Sequence, residues 1–259
     1  MVNRKQALFG ITEKDEKTLI SLMCDNADKA ITTGARIYTK FLSPAQSHLV
    51  GERFQRDVDI SFFGGYDDAE RTVAAFSSFD TYETDFDYPI EVIKISTKSK
   101  AVFSHRDYLG SIMSLGIKRE LIGDIVTCDT HALVFCHRSI CDYLTMNLTS
   151  IGKNSVSAEP VTIDSIEPPK RQFKQKSTTV SSMRLDCVLS AATGKSRAVT
   201  SELIAKGLVQ VNYEYAKSAS LSVNSGDTIS VRGFGKMTID TDLNLTKKGR
   251  YHITIKQYI

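Results

Sequence analysis

The residues here most suited to chemistry are cations placed at the starts and ends of helical sequence. In the stretch 183–236, Arg184 stands at a first helix start, Lys195 and Arg197 flank Ser196 at a second, and Lys206 follows the second helix. Lys217, Arg232 and Lys236 lie in turn- and strand-like sequence beyond, with Asn212 at a turn. This pattern suits the holding of phosphate: unpaired amide N–H groups at a helix start point outward, and arginine forks add bidentate contacts. Arg184, Lys195, Arg197 and Lys206 are the expected phosphate clamps, with Asn212, Lys217 and Arg232 as further contacts. Ser196 is expected to cap its helix and offer the amide end to a phosphate, and Asp186 to orient a neighbouring arginine.

A second basic group brackets a helix predicted from Ser104 to Leu115: His105 and Arg106 at its start, Lys118 and Arg119 past its stop at Gly116. Cations at both ends of a short helix suit two phosphates; the alternative for Arg119 is pairing with Glu120 or Asp124. His105-Arg106-Asp107 copies a protein-kinase triplet, but that motif needs Asn five residues after the Asp, and position 112 is Ile. The five cysteines (24, 128, 136, 141 and 187) include no C-x-x-C, and Cys136 and Cys141 with His131 and His137 do not match zinc spacing. They read as reduced thiols, and neither metal nor cofactor is expected.

The net charge of +3 hides an asymmetry: from residue 169 onward, 15 Lys and Arg stand against 6 Asp and Glu, while the preceding residues carry 18 against 24. A basic C-terminal third on a mildly acidic body points to a polyanionic partner. No stretch approaches the roughly 20 apolar residues of a membrane span, and MVNRKQALFG lacks the apolar core of a secretory signal, so a cytoplasmic protein is expected.

The elements that must position these residues read as an α+β chain. Residues 1–85 are expected to form an α-rich domain, with helical sequence to about residue 35, a capping box at Ser43-Pro44-Ala45-Gln46, a strand at 59–63 and helical sequence again at 67–76. Its cations Arg36, Lys40, Arg53, Arg56 and Arg71 read as solvated surface with nucleic acid within reach. Residues 86–165 give strand, helix, strand, strand, helix, strand, the ferredoxin-like order also used by RNA-recognition motifs. The third strand offers only Phe135 as an aromatic, so base stacking on that sheet is not expected. Residues 166–182, with Pro168, Pro169, Lys170, Arg171, Lys174 and Lys176, read as a basic tether, either lying along phosphates or simply solvated. Residues 183–259 give two short helices, ended by Gly194 and Gly207, then strands at 208–211, 228–231, 237–240 and 251–255 around a basic turn at 247–250.

The last of these segments resembles the S4 RNA-binding domain. The resemblance rests on Arg184-Leu185-Asp186 with Leu189, Ser196-Arg197, the run from Leu203-Ile204 through Gly207-Leu208-Val209 to Val211-Asn212, Gly226-Asp227 and Val231-Arg232-Gly233. Nearly the whole chain is similar to the YlmH family, through Phe41–Pro44, Gly64-Gly65-Tyr66, His105–Gly110, Met113–Glu120, Gly123-Asp124-Ile125 and Asn147–Lys153. That resemblance implies a ribosome-associated middle domain, a C-terminal S4 domain, and binding to a large ribosomal subunit obstructed by peptidyl-tRNA. There the protein would support alanine tailing in ribosome-associated quality control, with ribosomal RNA, tRNA or both as partners and no small-molecule substrate. Two alternatives are an RNA-modifying enzyme of pseudouridine-synthase type, with Asp186 as nucleophile, and a protein scaffold linked to cell division, an association that also travels with the family. Against the first, Asp186 lies inside the S4 pattern and not in a separate catalytic domain.

Overall fold

The computed structural model describes residues 1–80, 87–97, 101–166, 173–246 and 249–258; Pro168, Pro169, Lys170 and Arg171 of the expected linker and Lys247 and Lys248 of the expected basic turn lie outside them. The chain divides into two compact units, Met1–Pro169 and Lys170–Ile259.

The first unit opens with α1 (Arg4–Ala7), α2 (Lys14–Thr33), β1 (Ile37–Leu42), α3 (Pro44–Phe54), β2 (Asp59–Phe63) and β3 (Thr72–Ser77). The capping box at α3 is present: Ser43 Oγ accepts from the Gln46 N–H, and the Gln46 side chain accepts from the Ser43 N–H. The expectation of helix over 67–76 is wrong, and the N-terminal part is less α-rich than expected, because β1, β3 and β2 form an antiparallel sheet. The reason lies in burial on both faces. Ala74 and Phe76 pack with α2 and α3, while Val73 packs on the opposite face with Phe41. A strand covered twice reads as a continuous apolar run, which period alone cannot separate from buried helix.

The unit continues with β4 (Ile90–Ser96), α4 (His105–Ser114), β5 (Ile122–Thr127), β6 (His131–His137), α5 (Cys141–Asn147), the short pair β7 (Ser150–Ile151) and β8 (Asn154–Ser155), and β9 (Ser157–Val161). The sheet order is β5-β6-β4-β9, antiparallel throughout. One face, with Ile93, Ile95 and Val134, packs on Tyr108 and Ile112 of α4 and Leu144 of α5. The other, with Ile90, Val92, Leu133 and Phe135, packs on Phe41 and Val73 of the N-terminal sheet. The segments 1–85 and 86–165 therefore share a core.

The glycines read as motif residues explain how closely the two sheets meet. A Cβ on Gly65 would lie 2.4 Å from the Phe135 ring, at a φ of +101° that only glycine adopts readily, and a Cβ on Gly123 would lie 2.6 Å from the Phe41 ring. Tyr66 stacks at a tilt on Phe135, with centroids 4.9 Å apart. Asp124 closes the joint by accepting from the Tyr66 hydroxyl at 2.9 Å and from the N–H groups of Glu70 and Arg71 at 2.7 and 3.1 Å.

The second unit comprises β10 (Phe173–Val180), α6 (Leu185–Thr193), α7 (Arg197–Ala205), β11 (Val209–Val211), β12 (Glu214–Tyr215), β13 (Thr228–Val231), β14 (Gly235–Leu245) and β15 (Tyr251–Tyr258). Its antiparallel sheet runs β10-β15-β14-β13-β11-β12. The core joins Leu185, Val188 and Leu189 of α6 and Ile204 of α7 to Val209, Ile229, Ile239 and Ile253 of the sheet. Residues 173–180 are not a free tether: they pair with 251–258 along their full length, and Val180 is buried. Their lysines and hydroxyls are those of an edge strand, whose polarity guards the open edge and hides the strand from a hydrophobicity pattern.

Candidate nucleic-acid interface

The helical hairpin α6–α7 is held in register by its caps. Arg184 is the N-cap of α6, and Gly194 closes that helix in the left-handed conformation with its N–H on the Ser190 carbonyl. Ser196 caps α7, its Oγ accepting from the Val199 N–H. These short connections bring Arg184 and Arg197 to one carboxylate. Asp186 Oδ1 accepts from Arg184 Nε at 3.2 Å, and Oδ2 accepts from Arg197 Nε at 3.2 Å and from its Nη2. Oδ1 also accepts from the Cys187 N–H at 3.0 Å.

The asymmetry of exposure gives the arrangement its use. The Asp186 side chain is 5% exposed, whereas those of Arg184 and Arg197 are 45% and 56% exposed. Burial pushes the Asp186 carboxyl up, but the hydrogen bonds from Arg197 and Arg184, with their charges, outweigh it and hold the group down at about 2. Asp186 thus orients both arginines, and two cations served by one carboxylate leave net positive charge at the surface. An arginine fixed in this way loses less side-chain freedom when it grips a phosphate.

The other expected contacts are arranged differently. Lys195, Ser196, Lys217 and Arg232 are exposed in the same unit. Lys206 is exposed and paired with Glu202 one turn back, Nζ to Oε1 2.6 Å. Asn212 is occupied structurally: at φ +48° its amide donates to Asp227 Oδ1 and its Oδ1 accepts from the Thr228 N–H, at 2.8 and 2.9 Å. It positions a turn.

In the first unit, His105 and Arg106 are exposed at the start of α4, where Asp107 accepts from the Ser104 N–H and hydroxyl. Lys118 is exposed beyond the helix. Arg119 is half-buried, its Nη1 donating to the carbonyls of Ile122 and Gly123, and burial lowers its pKa. Arg119 is therefore committed to the fold, through carbonyls, while Glu120 pairs with Lys40. Arg71, read as surface, donates to the Ile122 and Phe41 carbonyls; burial and the charge of Arg119 lower its pKa to about 10. Phe135 is fully buried against Tyr66, so the face on which an RNA-recognition sheet stacks bases is covered.

Lys176 and Arg250, which local pattern assigns to a tether and a turn, border the cleft beside Arg197. Strand β10 is exposed over most of its length, so no alternation of apolar residues marks it in the sequence.

Residues 183–229, which carry the α6–α7 hairpin and its paired arginines, match the S4 domain profile, and this places the chain in the class of S4-domain RNA-binding proteins. Residues 83–165 match a second profile, described as "Putative RNA-binding domain in YlmH". The chain is 33% identical over 222 residues to the Bacillus subtilis ribosome-associated protein quality control protein P2, covering 85% of this chain and 86% of that protein. The chain belongs to the YlmH family. Its fold is also similar to the solved structure titled cell division protein YlmH from Streptococcus pneumoniae, with a TM-score of 0.50 and 20% identity, over 61% of this chain and 99% of that one.

Proposed function

We propose that this protein is a non-catalytic factor that binds structured ribosomal RNA, tRNA or both on the large ribosomal subunit in the cytoplasm, and supports alanine tailing of chains on obstructed subunits. The observation that carries this reading is the pair of exposed arginines held on buried Asp186. A shape-reading surface of this kind suits a folded RNA. The relative named as a ribosome-associated quality control protein supports the ribosomal setting. The order β5-β6-β4-β9, with α4 and α5 on one face, supports a ferredoxin-like reading of 86–165, and His105, Arg106 and Lys118 are its available cations. The working regions are then 1–85, 86–165 and 183–259, the last completed by the edge strand 173–180, with 1–85 covering the middle sheet.

One observation favours binding over catalysis: both Asp186 oxygens are taken by arginine and backbone donors, which leaves a poor nucleophile.

The test is co-sedimentation of the purified protein with large ribosomal subunits, with crosslinks mapped on the RNA. Arg197→Ala should weaken binding about tenfold and lower the slope of log affinity against log salt by about one. Unchanged affinity and slope in folded protein would count against the hairpin. Association that survives ribonuclease would favour a protein scaffold, and base modification abolished by Asp186→Asn would favour an enzyme.

A further inference from the structure

Beside the hairpin lies a cleft of about 400 Å³, bordered by β10, α6 and the start of α7. Three cations reach it from separate places in the chain: Lys176 from β10, Arg197 from α7 and Arg250 from just before β15. Lys176 and Arg250 lie outside the segment 183–229 that matches the S4 profile.

The partners of these two cations are neutral. Lys176 Nζ donates to the Ala191 carbonyl at 2.8 Å, one of the acceptors left open in the last turn of α6. Arg250 Nε and Nη2 donate to the hydroxyl and carbonyl of Thr179 at 3.0 and 2.8 Å. Carbonyls and hydroxyls fix a cation in place without cancelling its charge. Among the described residues no carboxylate lines the cleft, and Arg197 shares its only buried partner with Arg184. The remaining lining includes the hydroxyl residues Thr178, Ser181 and Ser190. The cleft is thus a concave, hydroxyl-lined surface with uncompensated positive charge, which concentrates anions.

No aromatic ring lines it among the described residues, so a nucleobase has nothing to stack on. A sugar–phosphate backbone needs only the cations and hydroxyls. We infer that the cleft is a second phosphate-binding station, in which Lys176 and Arg250 hold the RNA backbone that Arg184 and Arg197 engage at the hairpin. This inference rests on the RNA-binding reading of the hairpin and extends it beyond the S4 segment onto the outer edge of the sheet.

The experiment measures affinity of the full chain for purified large ribosomal subunits across a potassium chloride series, for Lys176→Gln, Arg250→Gln, the double variant and Arg197→Ala. Glutamine keeps a donor for the Ala191 or Thr179 acceptor and removes the charge. Each glutamine variant should weaken binding about fivefold to tenfold and lower the salt slope by about one, and the double variant by about two. Lys176→Glu, at an exposed strand position, should weaken binding more than Lys176→Gln and guards against a fold defect at Arg250. Wild-type affinity and slope in the glutamine variants, with Arg197→Ala impaired, would overturn the cleft and leave the hairpin standing. If Arg197→Ala is also unimpaired, the hairpin reading falls and the cleft with it. Inorganic phosphate that raises the thermal midpoint of wild type but not of the double variant, with ribosome binding untouched, would assign the cleft to a free anion and also overturn the inference.

Discussion

Asp124 and Asp186 each sit among two arginines, and the two sites differ in which partner is buried. At the joint of the first unit, Asp124 accepts from Tyr66 and two backbone N–H groups, while Arg71 and Arg119 turn inward onto carbonyls of Phe41, Ile122 and Gly123. Both arginines are half-buried, and burial lowers the pKa of each. At the hairpin of the second unit the carboxylate is buried and the arginines face water. The same residue types therefore give a fold-fixing joint in one place and an exposed cationic surface in the other. A basic residue can serve a ligand only where its donors are left facing solvent, and Arg71 and Arg119 fail that condition.

The contrast can be broken most forcefully at the joint. Asp124→Ala removes three hydrogen bonds and leaves two partly buried guanidinium groups without their countercharge, at a cost of about 4 kcal/mol. Urea unfolding followed by tyrosine fluorescence should show this loss in the first unit, while the salt slope of RNA binding through the hairpin stays at its wild-type value. A changed slope with a stable first unit would show that the joint is itself an RNA contact.

Asp186→Asn should cost less in stability, about 2 kcal/mol, because its arginines can turn to water. Its effect on RNA should be specific: affinity about tenfold weaker with the slope preserved, since both cations remain but are no longer held in place. Arg197→Ala, by contrast, lowers the slope.

The acid limb gives a further measure. The Asp186 pKa is depressed in the fold from its ordinary 3.8 to about 2, so the stability it contributes is complete above about pH 4 and is lost as pH falls towards 2. The loss amounts to about 2 kcal/mol in wild type and should vanish in Asp186→Asn. Acid titrations of the two proteins that run parallel would remove Asp186 from the account.

The smallest effect is expected at Ser196→Ala, about 1 kcal/mol from loss of the α7 cap, read as a small drop in thermal midpoint. RNA affinity should fall less than twofold, because Arg197 stays held by Asp186. A large fall would mean that the Ser196 hydroxyl itself touches phosphate.

The sequence by itself determined what depends on near neighbours. Ser43 and Gln46, Ser196, Gly194 and Gly207 act within a turn or so of chain, and their caps and stops stand where local rules place them. The α6–α7 hairpin was legible for the same reason, down to the orienting role of Asp186, whose partners lie two and eleven residues away. Tertiary structure alone decided whether β1 and β3 were strands, because burial on both faces erases the alternation that marks one. It also decided that Phe135 is covered, that Arg71 and Arg119 point inward, and that Lys176 and Arg250 meet beside Arg197. Apart from the Arg119 hydrogen bonds, which reach only three and four residues along the chain, these outcomes depend on residues tens of positions apart, and charge, spacing and period carry no record of which distant surface arrives to cover a side chain and which leaves it in water.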